Sequence, residues 1–457
     1  MRRLRLHEEP SGSFSRRELM NLILPLILEQ FLAVMVGMAD TAMVSGVSGS
    51  AVAAVSTVDT VNLLFIQLFS AMSAGGAVVA AQYLGRKDQT NACAAARQLM
   101  MSTLFLSALI ALLIAVFHRQ VIALMDNGSD PDTVRLSCTY LLITAFSYPF
   151  LGVYNGGVGL LRAMGNSKAS MWTSIAMNVI NIGGNALLIH PCGLGVAGAA
   201  ISTLISRMVS AAVILGIMFH DTMPIHLEKI RRGSGAYKPD FAMIRRILRV
   251  GVPNGLENSL FQVGKVLIMS IITTFPTAIR AANGICNSLS SVVNIPGGAI
   301  GLASVAVVGQ LVGAGKKDEA KRYAKKLLLM MYVSILPLNL LLFLLPGPFV
   351  GLFSLEAEGV PAAIAVMRLY TLCSMGFWAL SFGMPNFLRA AGDARFTMAV
   401  SIVSMLLLRV GMSYLLVYGA GLSLLGVWIA MHADWAARGV CFCVRFAGSR
   451  WLNKKVI

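Results

Sequence analysis

PLILEQFLAVMVGMADTAMV, from Pro25 to Val44, is the stretch on which the reading of the fold turns. It is an almost unbroken apolar run of membrane-crossing length, yet it carries two carboxylates, Glu29 and Asp40. An acid inside such a helix costs roughly 2.5–3.5 kcal/mol on insertion scales, so each is a functional-site candidate by default. At about 100° per residue, eleven residues bring Asp40 back to within about 20° of Glu29, on one face and about 16 Å along the axis.

The pattern recurs 228 residues later. Pro25 and Glu29 of PLILE return as Pro253 and Glu257 of PNGLE, and Gln82 with Gly85 of QYLG returns as Gln310 with Gly313 of QLVG. LLRAMGNSK, holding Arg162 and Gly165, returns as FLRAAGDAR, holding Arg389 and Gly392, at a displacement of 227. Gly193, Leu194 and Gly198 recur as Gly421, Leu422 and Gly426, back at 228. The chain is therefore two similar halves, and internal repeats in a membrane protein point to a transporter with its path between them.

Of 457 residues, 57% are hydrophobic and 12% charged, with a mean hydropathy of +0.75. Such a chain belongs in a bilayer. Apolar runs of about twenty residues give spans near 20–44, 52–81, 94–117, 136–159, 169–189 and 194–218 in the first half. In the second half they lie near 247–274, 281–312, 327–352, 362–386, 396–418 and 421–444. The expected fold class is an all-α membrane protein of twelve transmembrane helices in two pseudo-symmetric six-helix bundles. Its expected divisions are an N-terminal tail (1–19), a first lobe (20–218), a basic linker (219–246), a second lobe (247–444) and a C-terminal tail (445–457).

Lys and Arg number 37. Arg119, Arg135, Arg280 and Arg368 fall on one side of this topology, Arg207, Lys265 and Arg409 fall within spans, and the remaining 30 gather on the other side. The positive-inside rule makes that side cytoplasmic, with both termini on it, in a multi-pass protein of the cell (inner) membrane. The net charge of +17 is then a topological signal that also attracts anionic lipid heads, rather than a mark of nucleic-acid binding. Seven cysteines form neither a disulfide framework nor a zinc spacing. The first span is too long and too acidic for the apolar core of a signal peptide, so it is expected to stay.

In the fifth span, MNVINIGGNALLI sets Asn178, Asn181 and Asn185 at i, i+3 and i+7, one stripe of a helix. In-line amides can ligate a cation or bind a protonated carboxyl; they can equally hold helices together. Thr203 lies in the small-residue-rich sixth span. Asp59, near the start of the second, is either a cavity acid or an acid favoured by a helix N-terminus. Lys265 stands two turns past Glu257, about 80° round the helix. Glu29, Glu257 and Lys265 either line the cytoplasmic half of a cleft and contact substrate, or form a salt bridge that closes it. Gln82, Gly85, Arg162 and Gly165, with their copies Gln310, Gly313, Arg389 and Gly392, sit at cytoplasmic helix ends, where loop closure and gating are the expected roles. Arg207, Arg409, His432 and Asp434 read as structural, with Asp434 and Arg438 spaced to pair.

Taken together, LEQ, GMADTAMVS, AQYLGRKD and LLRAMGNSK with NVINIGGN, repeated in degraded form in the second half, resemble the multidrug and toxic compound extrusion (MATE) family of antiporters. The resemblance covers the chain from about Asn21 to Arg445. It implies two six-helix bundles in a V around a cleft that opens alternately to each side, exporting organic, often cationic, compounds against inward proton or sodium flow. Carried residue by residue, the acid of the family's first helix falls on Asp40, and its polar partners fall on Asn181, Asn185 and Thr203. Some proton-coupled members have an aspartate where this chain has Asn185, and a sodium-coupled branch has acids where it has Phe261 and Trp378. Coupling is therefore expected in the first half. A proton is favoured over sodium because Asp40 has only neutral partners, with Na+ at Asp40 as the alternative. No cofactor, resident metal or nucleic-acid partner is expected; the expected partners are small organic, mainly cationic substrates and membrane lipids, around a monomer.

A lipid-linked oligosaccharide flippase of the same wider superfamily is the nearest alternative, and it would call for a large cationic cleft. A membrane-embedded enzyme is remote. The six histidines show no paired spacing, and neither a nucleophile motif nor a metal cluster stands out.

Overall fold

The computed structural model describes residues 14–125, 130–228, 238–448, 450–454 and 456–457. Residues 1–13 of the N-terminal tail and 229–237 of the expected linker lie outside the described residues. The first lobe consists of α1 (Arg16–Ser45), α2 (Gly49–Gly85), α3 (Gln89–Met125), α4 (Pro131–Phe146 continued by Tyr148–Ala163), α5 (Ser167–Leu188) and α6 (Gly195–Met218). The second consists of α7 (Phe241–Ile272), α8 (Thr277–Gly313), α9 (Lys317–Leu344), α10 (Val360–Ala390), α11 (Ala394–Gly419) and α12 (Leu424–Ala447).

Most helices outrun the apolar stretch that announces them, because their polar first turns are capped. Ser15 and Glu18 form a capping box on α1, Ser48 accepts from the Ala51 amide on α2, and Asp240 accepts from the amides of Ala242 and Met243 on α7. The ninth span starts and ends earlier than expected. It ends at Leu344 because the residue before Pro346 is pushed out of helical conformation; Leu345 has φ −125° and ψ 53°. Near the middle of α4 the axis bends by 48° at Ser147, just before Pro149 removes a helix hydrogen bond.

Among the described residues, eight helices are long and apolar enough to cross a membrane, or nine with bent α4 counted as one span. The remaining three are α5, α7 and α12. They carry the asparagine stripe, Glu257 with Lys265, and His432 with Asp434 and Arg438, respectively. These polar side chains, all but Lys265 turned into the protein, lower their mean hydropathy, and the architecture is twelve transmembrane helices in a two-lobed V.

Each lobe has its own apolar core, but the entering turns of α1 and α7 are exchanged. Leu19, Leu22, Ile23 and Leu26 pack into the core of the second lobe, while Met243, Ile247 and Val250 pack into that of the first. Pro25 and Pro253 stand where these exchanged turns end. Each removes a helix hydrogen bond at the crossover.

The lobes touch where α2 and α8 end. Gln82 Nε2 donates to the Ala390 carbonyl at 2.9 Å, and Gln310 Nε2 donates to the Ala163 carbonyl at 2.7 Å. A Cβ on Gly85 would fall 1.9 Å from the carbonyl oxygen of Gln310, and one on Gly313 would fall 2.0 Å from that of Gln82. Glycine alone lets these backbones meet. Gly165 and Gly392, at φ +79° and +95°, end α4 and α10 in the left-handed region. The stretch after α6 is not a free linker at its start: Ile225 and Leu227 are buried in the first lobe, and Glu228 pairs with Arg97 at 2.6 Å.

Candidate functional site

Five helices of the first lobe line an open cavity of about 320 Å³. α1 contributes Gly37 and Asp40, α2 Asp59 and Asn62, α4 Tyr140, α5 the stripe Asn178, Asn181 and Asn185, and α6 Thr203, Ser206 and Arg207. Helical spacing explains the stripe: i, i+3 and i+7 share a face, and that face of α5 meets α1 and α6. Asp40 accepts from Asn185 Nδ2 at 2.7 Å. Asn181 Nδ2 donates to Thr203 Oγ1 at 3.2 Å, while the Asn181 carbonyl accepts from Ser202 Oγ at 2.7 Å. Asn62 bridges the wall, donating to Asp59 at 3.3 Å and accepting from the Tyr148 hydroxyl at 2.7 Å. Arg207 donates to Ser147 Oγ at 2.7 Å, at the bend of α4.

Among the described residues, three buried amide atoms in this wall find no hydrogen-bond partner: Asn178 Nδ2, Asn181 Oδ1 and Asn185 Oδ1. A buried polar atom left unmatched costs free energy of order 1–3 kcal/mol. The cavity thus offers two amide oxygens and a carboxylate to something that arrives, and its one arginine leaves two carboxylates against one cation. Oxygen donors around a carboxylate suit a hard cation, a protonated group or a positively charged organic molecule.

The six residues Asp40, Asp59, Asn178, Asn181, Asn185 and Thr203 therefore line one space. Glu29, Glu257 and Lys265 do not. Glu29 is buried and accepts from Arg162 at 2.7 Å and from Ser170 Oγ at 2.9 Å. Glu257 repeats this with Arg389 at 2.6 Å and Thr397 at 3.4 Å. Each ion pair is closed within its own lobe, so neither glutamate bridges the cleft, and Lys265 is not the counter-ion of Glu257. Lys265 instead sits 5.5 Å over the ring of Phe261. Arg162 and Arg389, assigned to helix ends by spacing alone, are the partners that the two glutamates needed. The motifs held both members of each pair, but only packing joins residues 133 and 132 apart.

Removing one member of a buried pair strands the other. Glu29→Leu is expected to cost about 3 kcal/mol, the low end of the range for a broken buried pair because Arg162 retains 21% side-chain exposure. The melting temperature in detergent would report it, and Glu29→Leu with Arg162→Met should recover most of the loss. A single variant as stable as the wild type would mean that the pair does not stabilise the lobe.

Sequence reasoning passed over Asn62, Tyr140 and Ser206, and it read Arg207 as structural. A charged residue within an apolar span was the available signal for Arg207. The other three are ordinary helix residues until the bundle turns them inward.

A cavity built from neutral amides and acids inside one of two repeat-related bundles, with the lobes in contact at one end, defines a membrane transporter rather than an enzyme. The MatE family model matches residues 25–187 and again 253–415, once per lobe. The chain belongs to this family of multidrug efflux transporters. It is 24% identical over 451 residues to the probable multidrug resistance protein NorM of Thermotoga maritima, covering 97% of this chain and 94% of that one. To multidrug and toxin extrusion protein 1 of Homo sapiens it is 23% identical, over 68% of this chain and 54% of the relative. Among solved structures, a MATE protein in the bent conformation superposes with a TM-score of 0.87 at 20% identity, covering 95% and 96% of the two chains.

Proposed function

We propose that the chain is a secondary active antiporter that exports small organic, mainly cationic, compounds in exchange for an inward-moving ion bound at Asp40. The observation that carries this reading is the Asp40–Asn185 hydrogen bond in a cavity whose facing amide oxygens have no partners. Relatives named for multidrug resistance and for multidrug and toxin extrusion support the class of cargo.

Exchange requires that ion and substrate favour different states or exclude each other. An ion on Asp40 removes the negative charge that attracts a cationic cargo, so the two compete for the same electrostatic well. Asn181, Asn185 and Thr203 adjust to either occupant because they are neutral and can donate or accept. The crossover of α1 at Pro25 lets a change at Asp40 bear on the turns packed against the second lobe. The contact at Gly85 and Gly313 would then open and close in alternating access. The lysine and arginine asymmetry supports placing that contact and both termini on the cytoplasmic side.

A proton is the favoured ion, since one carboxylate with neutral partners is all that protonation needs. Sodium is a second reading, favoured by the unpartnered Oδ1 atoms of Asn181 and Asn185, which are ligands of the right hardness. Proteoliposomes loaded with ethidium test both. Flux driven by a pH gradient and not by a sodium gradient supports the proton, and the reverse supports sodium. No flux under either gradient would overturn the drug-export reading and turn attention to lipid-linked cargo.

A further inference from the structure

The second lobe carries, at the place equivalent to the first lobe's cavity, a cluster of opposite charge. Gly37, which lines the first cavity, stands 228 residues before Lys265, and Ser206 stands 228 before Asp434. Asn181 answers to Arg409 within one residue; the displacement grows from 227 to 228 between Gly165/Gly392 and Gly193/Gly421, a stretch in which α11 takes up π-helical turns at Met405–Gly411. Such a turn accommodates an inserted residue. The acids themselves are not repeated: Asp40 answers to Ile268 and Asp59 to Asn287.

The cluster centres on Phe261. Lys265 Nζ lies 5.5 Å from the ring centroid, and the guanidinium carbons of Arg409 and Arg438 lie 5.2 Å and 5.7 Å from it. Arg438 also stacks 4.6 Å over Phe382. Among the described residues, the carboxylate in ion-pair range is Asp434, shared by Arg409 at 4.0 Å and Arg438 at 3.7 Å. Glu257 is committed to Arg389. Three cations thus gather around Phe261, and the one acid in ion-pair range reaches two of them, Arg409 and Arg438. Arg438, with 3% side-chain exposure, keeps Nε and one terminal nitrogen without a hydrogen-bond partner, and Lys265 is exposed. Rings can attract these cations but cannot neutralise them. The Arg438 donors stand beyond hydrogen-bond reach of Asp434, at 3.7 Å, and such donors are matched by an oxyanion, which Arg recognises through paired hydrogen bonds.

We propose that Lys265, Arg409 and Arg438 form an oxyanion subsite, taking the carboxylate or phosphate of an amphiphilic cargo. This deepens the reading of the chain as an exporter of organic compounds. It narrows the cargo to zwitterions, whose anionic group the second lobe would take.

Two dyes that differ at one group provide the probe: rhodamine 110, with a free carboxylate, and rhodamine 123, its methyl ester. Binding to the full chain in phosphatidylcholine nanodiscs is read by fluorescence anisotropy. Lys265→Gln, a change at an exposed position, is expected to weaken rhodamine 110 roughly tenfold, as befits loss of a charge-assisted contact, while leaving rhodamine 123 within about twofold. Arg409→Gln should act in the same direction. Equal effects on both dyes, or no effect on either, would overturn the subsite. Adding phosphatidylglycerol to the discs separates two sources of the oxyanion. Competition with rhodamine 110 in the wild type but not in Lys265→Gln sustains the subsite and names a lipid headgroup as its occupant; absence of competition, with selectivity intact, sustains it for free cargo. Gradient-driven flux of rhodamine 123 without carboxylate selectivity would sink the subsite and spare the exporter. Selectivity without flux of either dye would do the reverse.

Discussion

Asp40→Asn is expected to reduce ion-driven export on the order of 100-fold, the effect of losing a coupling free energy of about 3 kcal/mol. The substitution is nearly isosteric, and an amide at position 40 can still accept from Asn185 Nδ2, so the cavity should keep its shape. What disappears is the charge that alternates between ion and cargo. Equilibrium binding of an uncharged dye should therefore change little, whereas flux under the gradient that drives the wild type should fall to that of protein-free vesicles. Wild-type flux in Asp40→Asn would remove this residue from coupling. Wild-type flux in Asn185→Leu would leave the carboxylate essential and the amide dispensable.

The second large effect falls on the lobe contact. Gly85→Val places a Cβ where the Gln310 carbonyl oxygen now lies, at 1.9 Å. Overpacking within a core costs about 1–3 kcal/mol, and here the obstacle is backbone, which cannot rotate away. The lobes must separate at that end, so the state in which they touch should be depopulated and transport lost, with Gly313→Val giving the symmetric result. Cysteines at Ala81 and Gly309, whose Cβ positions are 3.1 Å apart, report the contact by cross-linking once the seven native cysteines have been replaced. Cross-linking should slow roughly tenfold or more in Gly85→Val, the consequence of a population shift above about 1.4 kcal/mol. Unchanged cross-linking together with unchanged transport would show that the contact is not part of the cycle.

The repeat explains why so much was legible beforehand. Helices in a bilayer must satisfy their own backbones, so twelve apolar runs translate directly into twelve helices, and two matched sets of motifs into two lobes. The asparagine stripe was readable because helical periodicity alone puts Asn178, Asn181 and Asn185 on one face. Asp40 was readable because an acid in that setting demands a reason. Where a local rule overrode hydropathy, as at Pro346, the end of the span moved from 352 to Leu344.

Pairings between distant residues were not legible. Glu29 and Glu257 looked like cleft acids because a carboxylate in an apolar helix has no visible partner in its own segment. Their partners, Arg162 and Arg389, stood in other motifs with an apparent role of their own. The charge of the second lobe was hidden for the same reason: Lys265, Arg409 and Arg438 lie on three different helices, and one-dimensional spacing cannot bring them around Phe261. The sequence by itself determined the membrane class, the helix count, the two-fold repeat and the coupling candidates, since periodicity and burial cost act along a single helix. Only the tertiary structure decided which charges neutralise each other and which face a cavity, because a side chain's electrostatic surroundings are set by helices that packing, not order in the chain, places beside it.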